Sequence, residues 1–373
     1  MRILVASHTY ITDINREKFR AIARLGAEVA IVVPRRWYPG GVRSDLIETQ
    51  PKQEENFRII PTTNFSQNHQ GLLCFGLDII SLLQQFRPQI IQVEQGTKSV
   101  GYAQLITLNR LLKLNAKNLL FTWWNLPYAL KFPLSQLEAY NLRSTHAAIA
   151  GNQDAAEILR QRGYEKSIAI IPQLGVDEQQ FYPQPQPKLA AELSLNSTDF
   201  VVGFVGRFVP EKGLETLAAA LRSIDCPWRL LLIGRGELLS ELREQLGDRL
   251  ICVESVPHAE VPQYLNLMSV LVLPSETTSS WKEQFGHVLI EAMACQVPVI
   301  GSNSGEIPNV VGDAGLIFTE GNVVELRDRL LEIMQPDRAN SIAKLGFDRV
   351  QKRYTNSVLA QQQFAFYQQL FHS

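Results

Sequence analysis

The chain has 373 residues, of which 45% are hydrophobic and 20% charged, with a formal net charge of −1. This composition is that of an ordinary soluble globular protein, and the length predicts two domains rather than one. No apolar run approaches the ~18 residues of a membrane-spanning helix, and the polar residues that directly follow the opening strand-like run argue against a signal peptide.

The first half alternates short apolar runs with segments of helical periodicity. Near-continuous apolar strands that alternate with helices are typical of a parallel sheet covered on both faces. The predicted strands are 2–6, 29–33, 90–93, 119–122 and 147–150, and the predicted helices are 15–25, 72–86 and 100–115.

After residue 172 the composition changes, and the proline-rich stretch YPQPQPK predicts an extended, semi-rigid linker. The alternation then restarts, which predicts a second doubly wound unit. Its predicted strands are 200–205, 229–233, 250–253, 270–273 and 297–301, and helices follow at 214–224, 237–246, 323–334, 338–353 and 356–371.

The segment 275–306 carries the most specific motif of the chain. Glu283 and Glu291 lie eight positions apart, and Phe285-Gly286 stands between them before an apolar run that predicts a helix. Free N–H groups at a helix start attract phosphate, and carboxylates accept hydrogen bonds from sugar hydroxyls. The combination indicates a nucleotide-sugar site, although two Glu at this spacing also occur on solvated helix faces.

Between residues 283 and 294 the sequence resembles the signature of retaining glycosyltransferases of family 4, with Phe-Gly after the first acid and E-A-M-A around the second. The resemblance implies an α/β protein of the GT-B fold, with two doubly wound, Rossmann-like parallel-sheet domains that face each other across a cleft. The implied domains are 1–180 plus 356–373 on the acceptor side, with a C-terminal crossover helix, and 181–355 for the donor.

A second candidate segment follows the strand at 200–205. Gly206 permits close backbone approach, and Arg207 and Lys212 supply cations at a helix entrance. An Arg fork and a Lys point charge suit a diphosphate, and the alternative is a surface turn with two solvated cations. The resemblance implies that both side chains hold the donor diphosphate and stabilise it as the leaving group.

Gly234-Arg235-Gly236 begins a glycine motif, but Leu239 occupies the last position of the dinucleotide fingerprint. This counts against a nicotinamide enzyme. The resemblance implies that Gly234 and the segment around Val256 line the nucleotide pocket, together with Phe285 and Gly286. One departure from the family pattern lies farther on, where Asn309 replaces the usual Glu and Glu306 is an additional acid.

The implied reaction transfers a hexose from a nucleoside diphosphate sugar to a hydroxyl of a glycan, lipid-linked or small-molecule acceptor, with retained configuration and without a protein nucleophile. Arg207, Lys212 and Glu283 are the predicted catalytic residues, with Glu283 on the sugar and Glu291 on the ribose. No metal and no cofactor beyond the donor substrate are expected, and nucleic acid is not an expected partner. The alternatives are a sugar-nucleotide epimerase of the same fold and a non-catalytic nucleotide-sugar binding protein.

The first half departs further from the family pattern. Its first turn lacks glycine, and the strand at 119–122 leads to Asn125 rather than to the usual His. Either Asn125 or His8 takes the role of that His toward the donor sugar. The pair Trp123-Trp124 either stacks on acceptor sugars or belongs to the core.

Two further features concern partners and location. Residues 1–182 hold 20 Lys+Arg against 15 Asp+Glu, a balance of +5, and the rest hold 16 against 22, a balance of −6. A peripheral contact with an anionic membrane is predicted from Arg110, Lys113 and Lys117 at helical spacings, with the basic pair Arg35-Arg36. The simpler alternative is an ordinary amphipathic helix.

The four isolated cysteines predict buried thiols of a cytoplasmic protein, located in solution or at the inner face of the membrane.

Overall fold

The computed structural model describes residues 1–39 and 45–372. It divides into two compact units, Met1–Leu174 with the C-terminal helix and Gly175–Thr355. The predicted boundary after residue 180 is therefore too late. The physical reason is that Val176 pairs with the end of the second unit, where its N–H donates to the Tyr354 carbonyl at 2.9 Å.

The first unit contains a parallel sheet with one antiparallel edge strand. In the described part of this unit the sheet has eight strands, in the order β10-β9-β8-β7-β1-β2-β6-β5, and β3 and β4 form a separate antiparallel pair. The strands are β1 (Arg2–Ala6), β2 (Glu28–Pro34), β3 (Arg36–Trp37), β4 (Ile47–Glu48), β5 (Lys52–Gln53), β6 (Phe57–Thr62), β7 (Ile90–Val93), β8 (Lys117–Thr122), β9 (Ala147–Ala150) and β10 (Ile168–Ile170).

Helices cover both faces of this sheet, and the core lies in two layers on either side of it. The central strand β1 is buried from Ile3 to Ala6 and has β2 and β7 as neighbours, so its connections run to both faces. The helices are α1 (Glu17–Arg24), α2 (Asp78–Phe86), α3 (Val100–Leu111), α4 (Leu134–Ser144) and α5 (Gln153–Gln161), with the C-terminal helix (Asn356–His372) packed on α1.

The second unit, all of whose residues are described, has a six-stranded parallel sheet in the order β13-β12-β11-β14-β15-β16. Its strands are β11 (Val201–Val205), β12 (Arg229–Ile233), β13 (Leu250–Val253), β14 (Val270–Leu273), β15 (Val299–Ser302) and β16 (Leu316–Phe318). Its helices are α6 (Pro187–Glu192), α7 (Leu214–Arg222), α8 (Leu239–Leu246), α9 (Val261–Leu265), α10 (His287–Ala294), α11 (Ile307–Val311), α12 (Val323–Ile333) and α13 (Pro336–Arg353), and the C-terminal helix that follows is α14.

Several local predictions are wrong for identifiable reasons. The proline-rich stretch is part of the second unit and not a linker, because Gln184 donates its backbone N–H to the Asn266 side chain at 2.8 Å and Pro187 starts α6. The predicted helix 100–115 ends at Leu111, since Lys113 has a left-handed φ of 50°. Of the four free cysteines only Cys295 is buried, so the prediction of four buried thiols is wrong for the other three.

Strands β6 and β16 were not predicted. Pro61 interrupts the apolar run of β6, and β16 has three residues, which is short for a strand signal. Both lie near a sheet edge, where period-2 burial is incomplete. Among the described helices, none combines the length and the apolar character needed to cross a bilayer.

A buried polar cluster attaches α14 to the sheet of the first unit. Tyr367 is fully buried, its hydroxyl donates to Gln92 Oε1 at 2.7 Å, and Gln363 Nε2 donates to the same hydroxyl at 2.5 Å. Because these groups are removed from water, each hydrogen bond is needed to offset the cost of burial.

We expect Tyr367→Phe to lower the free energy of unfolding of the first unit by about 1–3 kcal/mol, since it removes a buried hydroxyl and its hydrogen bonds with Gln92 and Gln363. Urea denaturation followed by circular dichroism measures the change. Tyr38→Phe is the matched control, because Tyr38 is 41% exposed. Equal destabilisation by the two substitutions would contradict the role given to the cluster.

Candidate active site

All predicted donor residues except Glu291, which lies in α10, are in loops that follow four neighbouring strands of the second unit. Residues 206–213 follow β11, residues 234–236 follow β12, residues 254–258 follow β13 and residues 274–286 follow β14. The strand order reverses between β11 and β14, whose connections leave in opposite directions. In open parallel sheets this point, at the carboxyl ends of the strands, is where ligands bind.

Lys212 and Glu283 form an ion pair across this point. Lys212 Nζ lies 2.6 Å from Glu283 Oε2, and the two side chains are 15% and 10% exposed. Ser275 Oγ also donates to Glu283 Oε2, at 2.9 Å, and Lys212 Nζ lies 4.6 Å from the centre of the Trp281 ring. The structure therefore brings together two predicted catalytic residues that are 71 positions apart in the chain.

Arg207 lies at the start of the same loop but is less enclosed. Its side chain is 51% exposed, and Nη2 lies 3.4 Å from Glu211 Oε1. An exposed pair of this kind contributes little to stability and is easily exchanged for another anion. Arg207 is thus more accessible to a ligand than Lys212.

Two glycines allow these loops to approach each other. Gly213 has a φ of 67°, and a Cβ there would lie 1.9 Å from the carbonyl oxygen of Pro274. Gly234 has a φ of 136°, and its Cβ would lie 1.9 Å from the carbonyl oxygen of Gly206. Contacts this short exclude any side chain, so glycine at both positions is required for the loops to meet.

Glu291 points to a different partner. It lies in the second turn of α10, and its Oε1 is 2.8 Å from Nε2 of His258, which follows β13. Burial lowers the pKa of His258, but the hydrogen bond and negative charge of Glu291 outweigh this and raise the pKa above 6.5. The carboxylate is 13% exposed and the imidazole 46%, so the pair is open to solvent on one side.

The remaining predicted donor residues shape the surroundings of this pair. Gly286 has a φ of 79° and directly precedes α10, and Phe285 is buried against the rings of His287 and Tyr354. Val256 is half-buried in the loop before His258. Gly286 therefore sets the direction of the helix that carries Glu291, and Phe285 fixes its start by packing.

The departure at Asn309 has a structural counterpart. Asn309 Nδ2 donates to Glu306 Oε2 at 3.2 Å, and Glu306 is 8% exposed. Glu306 also donates its backbone N–H to the Glu283 carbonyl at 3.2 Å. An acid is thus present beside the Glu283 loop, three positions earlier in the chain than the family pattern has it.

In the first unit the three predicted acceptor-side residues follow strands at the carboxyl edge of the sheet, His8 after β1 and Trp124 and Asn125 after β8. Asn125 is 5% exposed. The His8 ring lies 5.1 Å from that of Trp37, and burial lowers the pKa of His8 to about 4. His8 is therefore neutral at physiological pH.

The two tryptophans have different environments. Trp123 packs on Phe121 and donates its indole N–H to Gln173 Oε1 at 2.8 Å, as a core residue does. Trp124 is 44% exposed, and Lys98 Nζ lies 4.3 Å from its ring centre. Trp124 is therefore the more exposed of the two rings.

Three contacts of the site were not predicted: Ser275 with Glu283, the Trp281 ring with Lys212, and the His258 side chain with Glu291. Their sequence signal is weak, because Ser and Trp in a polar loop have no fixed spacing relative to Glu283. Among residues 1–39 and 45–372, no group of three or more His, Cys, Asp or Glu side chains is placed to hold a metal ion.

We expect the Lys212–Glu283 pair to show a coupling free energy of about 1–3 kcal/mol in a double-mutant cycle with Lys212→Met and Glu283→Gln, since both side chains are largely shielded from water. Urea denaturation of the four proteins gives the coupling. The exposed pair Arg327–Asp328 is the matched control in the same unit, and its cycle should give less than about 1 kcal/mol. Similar coupling free energies for both pairs would show that shielding from water does not strengthen the Lys212–Glu283 interaction.

We expect Glu291→Gln to lower the pKa of His258 below 6.5, because burial remains while the carboxylate charge is lost. In the unsubstituted protein the stabilisation from protonated His258 is fully present below pH ~6.5 and is lost as the pH rises through the raised folded-state pKa. NMR titration of the imidazole measures the shift, with His146 of the first unit as an internal reference. An unchanged His258 pKa in the variant would refute the pairing.

Comparison with known families and proteins agrees with this geometry. Residues 185–345 match the family model of the group 1 glycosyl transferases. This span contains the loops after β11, β12, β13 and β14 and therefore every predicted donor residue. The family match thus lies in the second unit.

Among curated proteins, the chain is 33% identical over 150 residues to an uncharacterized glycosyltransferase of Methanocaldococcus jannaschii, covering 38% of this chain and 41% of that protein. It is 29% identical over 200 residues to a GDP-mannose-dependent monoacylated alpha-(1-6)-phosphatidylinositol monomannoside mannosyltransferase of Corynebacterium glutamicum, covering 50% and 52%. The aligned region thus spans about half the length of these relatives or less.

Among solved structures, sucrose-phosphate synthase of Thermosynechococcus elongatus superimposes with a TM-score of 0.74 at 21% identity, covering 100% of this chain and 99% of that one. The Anabaena protein Alr3699/HepE in complex with UDP gives a TM-score of 0.74 at 17% identity, with 99% of both chains covered. These similarities establish the fold, a pair of parallel-sheet α/β units of the GT-B class, and confirm the predicted fold class. Residues 185–345 are thus similar to the group 1 glycosyl transferases, within a chain that has the GT-B fold.

Proposed function

We propose that this protein is a retaining glycosyltransferase that moves a hexose from a nucleoside diphosphate sugar to an acceptor hydroxyl. The observation that supports it most directly is the Lys212–Glu283 pair at the strand-order reversal, with Arg207 on the same loop as Lys212. The two cations can bind a diphosphate, and the acid can accept hydrogen bonds from the hydroxyls of a sugar.

The diphosphate is the group that Arg207 and Lys212 bind. Lys212 is held by Glu283 in the free protein, and Arg207 is half exposed with a long contact to Glu211. Arrival of a diphosphate gives both cations a stronger anionic partner. Glu283 is then released from part of its ion pair and accepts hydrogen bonds from the hydroxyls of the sugar.

The nucleoside is bound by the neighbouring pair. Glu291 accepts from the ribose hydroxyls, and its contact with His258 fixes the carboxylate for that role. Gly234 and Val256 contribute backbone groups to the base. Two similar proteins support a nucleotide-sugar donor, since one curated relative is GDP-mannose-dependent and one structural neighbour was solved in complex with UDP-glucose.

In the proposed reaction the bond between the anomeric carbon and the diphosphate breaks as the acceptor oxygen bonds to the same face of that carbon. The acceptor proton passes to the departing diphosphate, so no protein nucleophile is used. Arg207 and Lys212 stabilise the negative charge that develops on the diphosphate, which is catalysis by preorganised electrostatics. These two cations supply the charge that a divalent metal supplies elsewhere, and we infer that transfer persists in EDTA.

The acceptor is a glycan, a lipid-linked sugar or a small molecule, bound by the first unit. Trp124 offers an exposed aromatic face on which a sugar ring can stack, and His8 and Asn125 lie at the same edge of that sheet. One relative is a glycosyltransferase of capsular polysaccharide biosynthesis and another is a phosphatidylinositol monomannoside mannosyltransferase, which supports a role in glycoconjugate synthesis. Epimerase and non-catalytic alternatives have no comparable support.

We expect Arg207→Ala and Lys212→Ala each to reduce kcat/KM for sugar transfer by about 10²–10³, the loss typical of one preorganised electrostatic donor. The donor is first found by screening nucleotide sugars for thermal stabilisation, since a ligand at 100 times its Kd adds about 2.7 kcal/mol. Transfer is then measured by release of the nucleoside diphosphate and by mass spectrometry of the product. Lys188→Ala, on the exposed surface of α6, is the control and should retain full activity.

The acidic pair provides an internal comparison in the same assay. Glu283→Gln should impair turnover while binding of the free nucleoside diphosphate survives, and Glu291→Ala should weaken that binding. Near-normal activity of both cation variants, or identical defects of both acid variants, would contradict the assignment of roles. Epimerised donor without transfer would replace the proposed reaction by an epimerase reaction.

A further inference from the structure

A second cluster of cationic side chains lies in the first unit, at the edge of the sheet opposite to the candidate acceptor residues. Lys117 is the first residue of β8, His146 directly precedes β9 and Lys166 precedes β10. These positions are at the amino ends of parallel strands, whereas Trp124 and Asn125 follow the carboxyl end of β8. The cluster is therefore separate from the candidate acceptor site.

The side chains line a cavity of about 540 Å³. Its lining includes five permanent cations and one imidazole but, within the described part of the chain, no Asp or Glu. None of the five cations forms an ion pair with a carboxylate of a described residue. The lining cations and imidazole are Arg110, Lys113, Lys117, Arg143, His146 and Lys166.

The simplest alternative is that these cations only neutralise helix ends. Both α3 and α4 end at the cavity, and Lys166 Nζ donates to the carbonyls of Arg143 at 3.2 Å and Thr145 at 2.5 Å. A helix C-terminus carries roughly half a negative charge, so two ends offset about one of the five positive charges. A large positive excess remains.

Arg110 is already oriented by neutral groups. Its Nη2 donates to Ser144 Oγ at 2.8 Å, and its guanidinium lies 5.2 Å from the centre of the Tyr140 ring. Such contacts hold a guanidinium in place without cancelling its charge. The Arg110 side chain therefore has donors left for an anion.

His146 adds a directed neutral donor. Its Nδ1 accepts the backbone N–H of Asn118 at 2.9 Å, which assigns the proton of the neutral ring to Nε2. Burial lowers the pKa of His146, and the charges of Lys117 and Lys166 lower it further. The imidazole is thus a neutral N–H donor among cations.

The loop that carries Lys113 also departs from the helix expected there. Lys113 and Asn115 both have left-handed φ values, 50° and 57°, so the chain turns sharply between α3 and β8. This turn places Lys113 and Lys117 around one cavity with Arg110, whereas a continuous helix would place them along a flat face. The predicted helical arrangement of Arg110, Lys113 and Lys117 is therefore wrong beyond Leu111, and the membrane contact stays a prediction.

We propose that this cavity binds a phosphate group carrying two or more negative charges, belonging either to a lipid headgroup or to a free phosphorylated molecule. Several cations without carboxylate partners, together with neutral N–H and guanidinium donors, match the oxygens of such a group. The interaction weakens with rising ionic strength because the side chains are largely exposed.

The test uses the full chain and inorganic pyrophosphate, titrated by isothermal calorimetry. Because Arg207 and Lys212 also suit a diphosphate, the titration is done in the Arg207→Ala/Lys212→Ala background. We expect binding there, and we expect Lys113→Gln/Lys117→Gln to weaken it by about tenfold or more, as for loss of charge-assisted hydrogen bonds. The control Lys131→Gln/Lys188→Gln removes the same charge from other exposed positions and should leave the affinity unchanged.

Two arms separate the sources of the phosphate. Cosedimentation with phosphatidylcholine vesicles, with and without phosphatidic acid, tests a lipid headgroup. Vesicle binding that needs phosphatidic acid and is lost in Lys113→Gln/Lys117→Gln assigns the lipid, and pyrophosphate binding without vesicle binding assigns a free phosphate. Arg143→Gln repeats both arms if the double variant is destabilised, as judged by its thermal midpoint.

Absence of binding to both probes would overturn the proposal. Binding that the cavity variants and the control variant weaken equally would also overturn it, because the effect would then be one of net charge. Sugar transfer does not depend on these residues in the proposed mechanism, so failure here leaves the proposed function intact.

Discussion

The adjacency of β11 and β14 is the constraint on which the candidate site depends. These strands are neighbours in the sheet although β12 and β13 lie between them in the chain, so the loops after them meet. Gly213 permits the contact because a Cβ there would overlap the Pro274 carbonyl. The meeting of the loops then places Lys212 against Glu283, and no local feature of either loop would do so.

The two acids of the motif have separate electrostatic environments. Glu283 is largely enclosed, with a lysine and a serine hydroxyl on one oxygen, whereas Glu291 faces an imidazole that is partly exposed. A permanently charged partner suits a group that exchanges ligands with a diphosphate. An imidazole whose pKa the carboxylate raises suits a group whose role is to accept hydrogen bonds from a neutral ribose.

Cations are used differently in the two units. In the second unit Arg207 and Lys212 each lie near an acid, so the charge of the free site is balanced and a donor must displace an existing partner. In the first unit the cavity at the amino ends of β8, β9 and β10 has cations without carboxylates among its described lining. Such a cavity has an unbalanced field, which favours anions from solution without displacement.

The sequence by itself determined the α/β class, the two-unit organisation and most strands, because near-continuous apolar runs are local and strong signals. It also determined the acidic motif around Glu283 and Glu291. Tertiary structure decided which side chains pair in the site, Lys212 with Glu283 and His258 with Glu291. It also decided the boundary between the units, because the backbone hydrogen bond from Val176 to Tyr354 places that boundary before the proline-rich stretch. Tertiary structure also decided the cavity around Lys117. This cavity depends on left-handed backbone at Lys113 and Asn115, and because neither residue is a glycine the sequence does not indicate the turn. In each case the deciding contact joins segments far apart in the chain or depends on a backbone turn, and neither leaves a periodic pattern in the sequence.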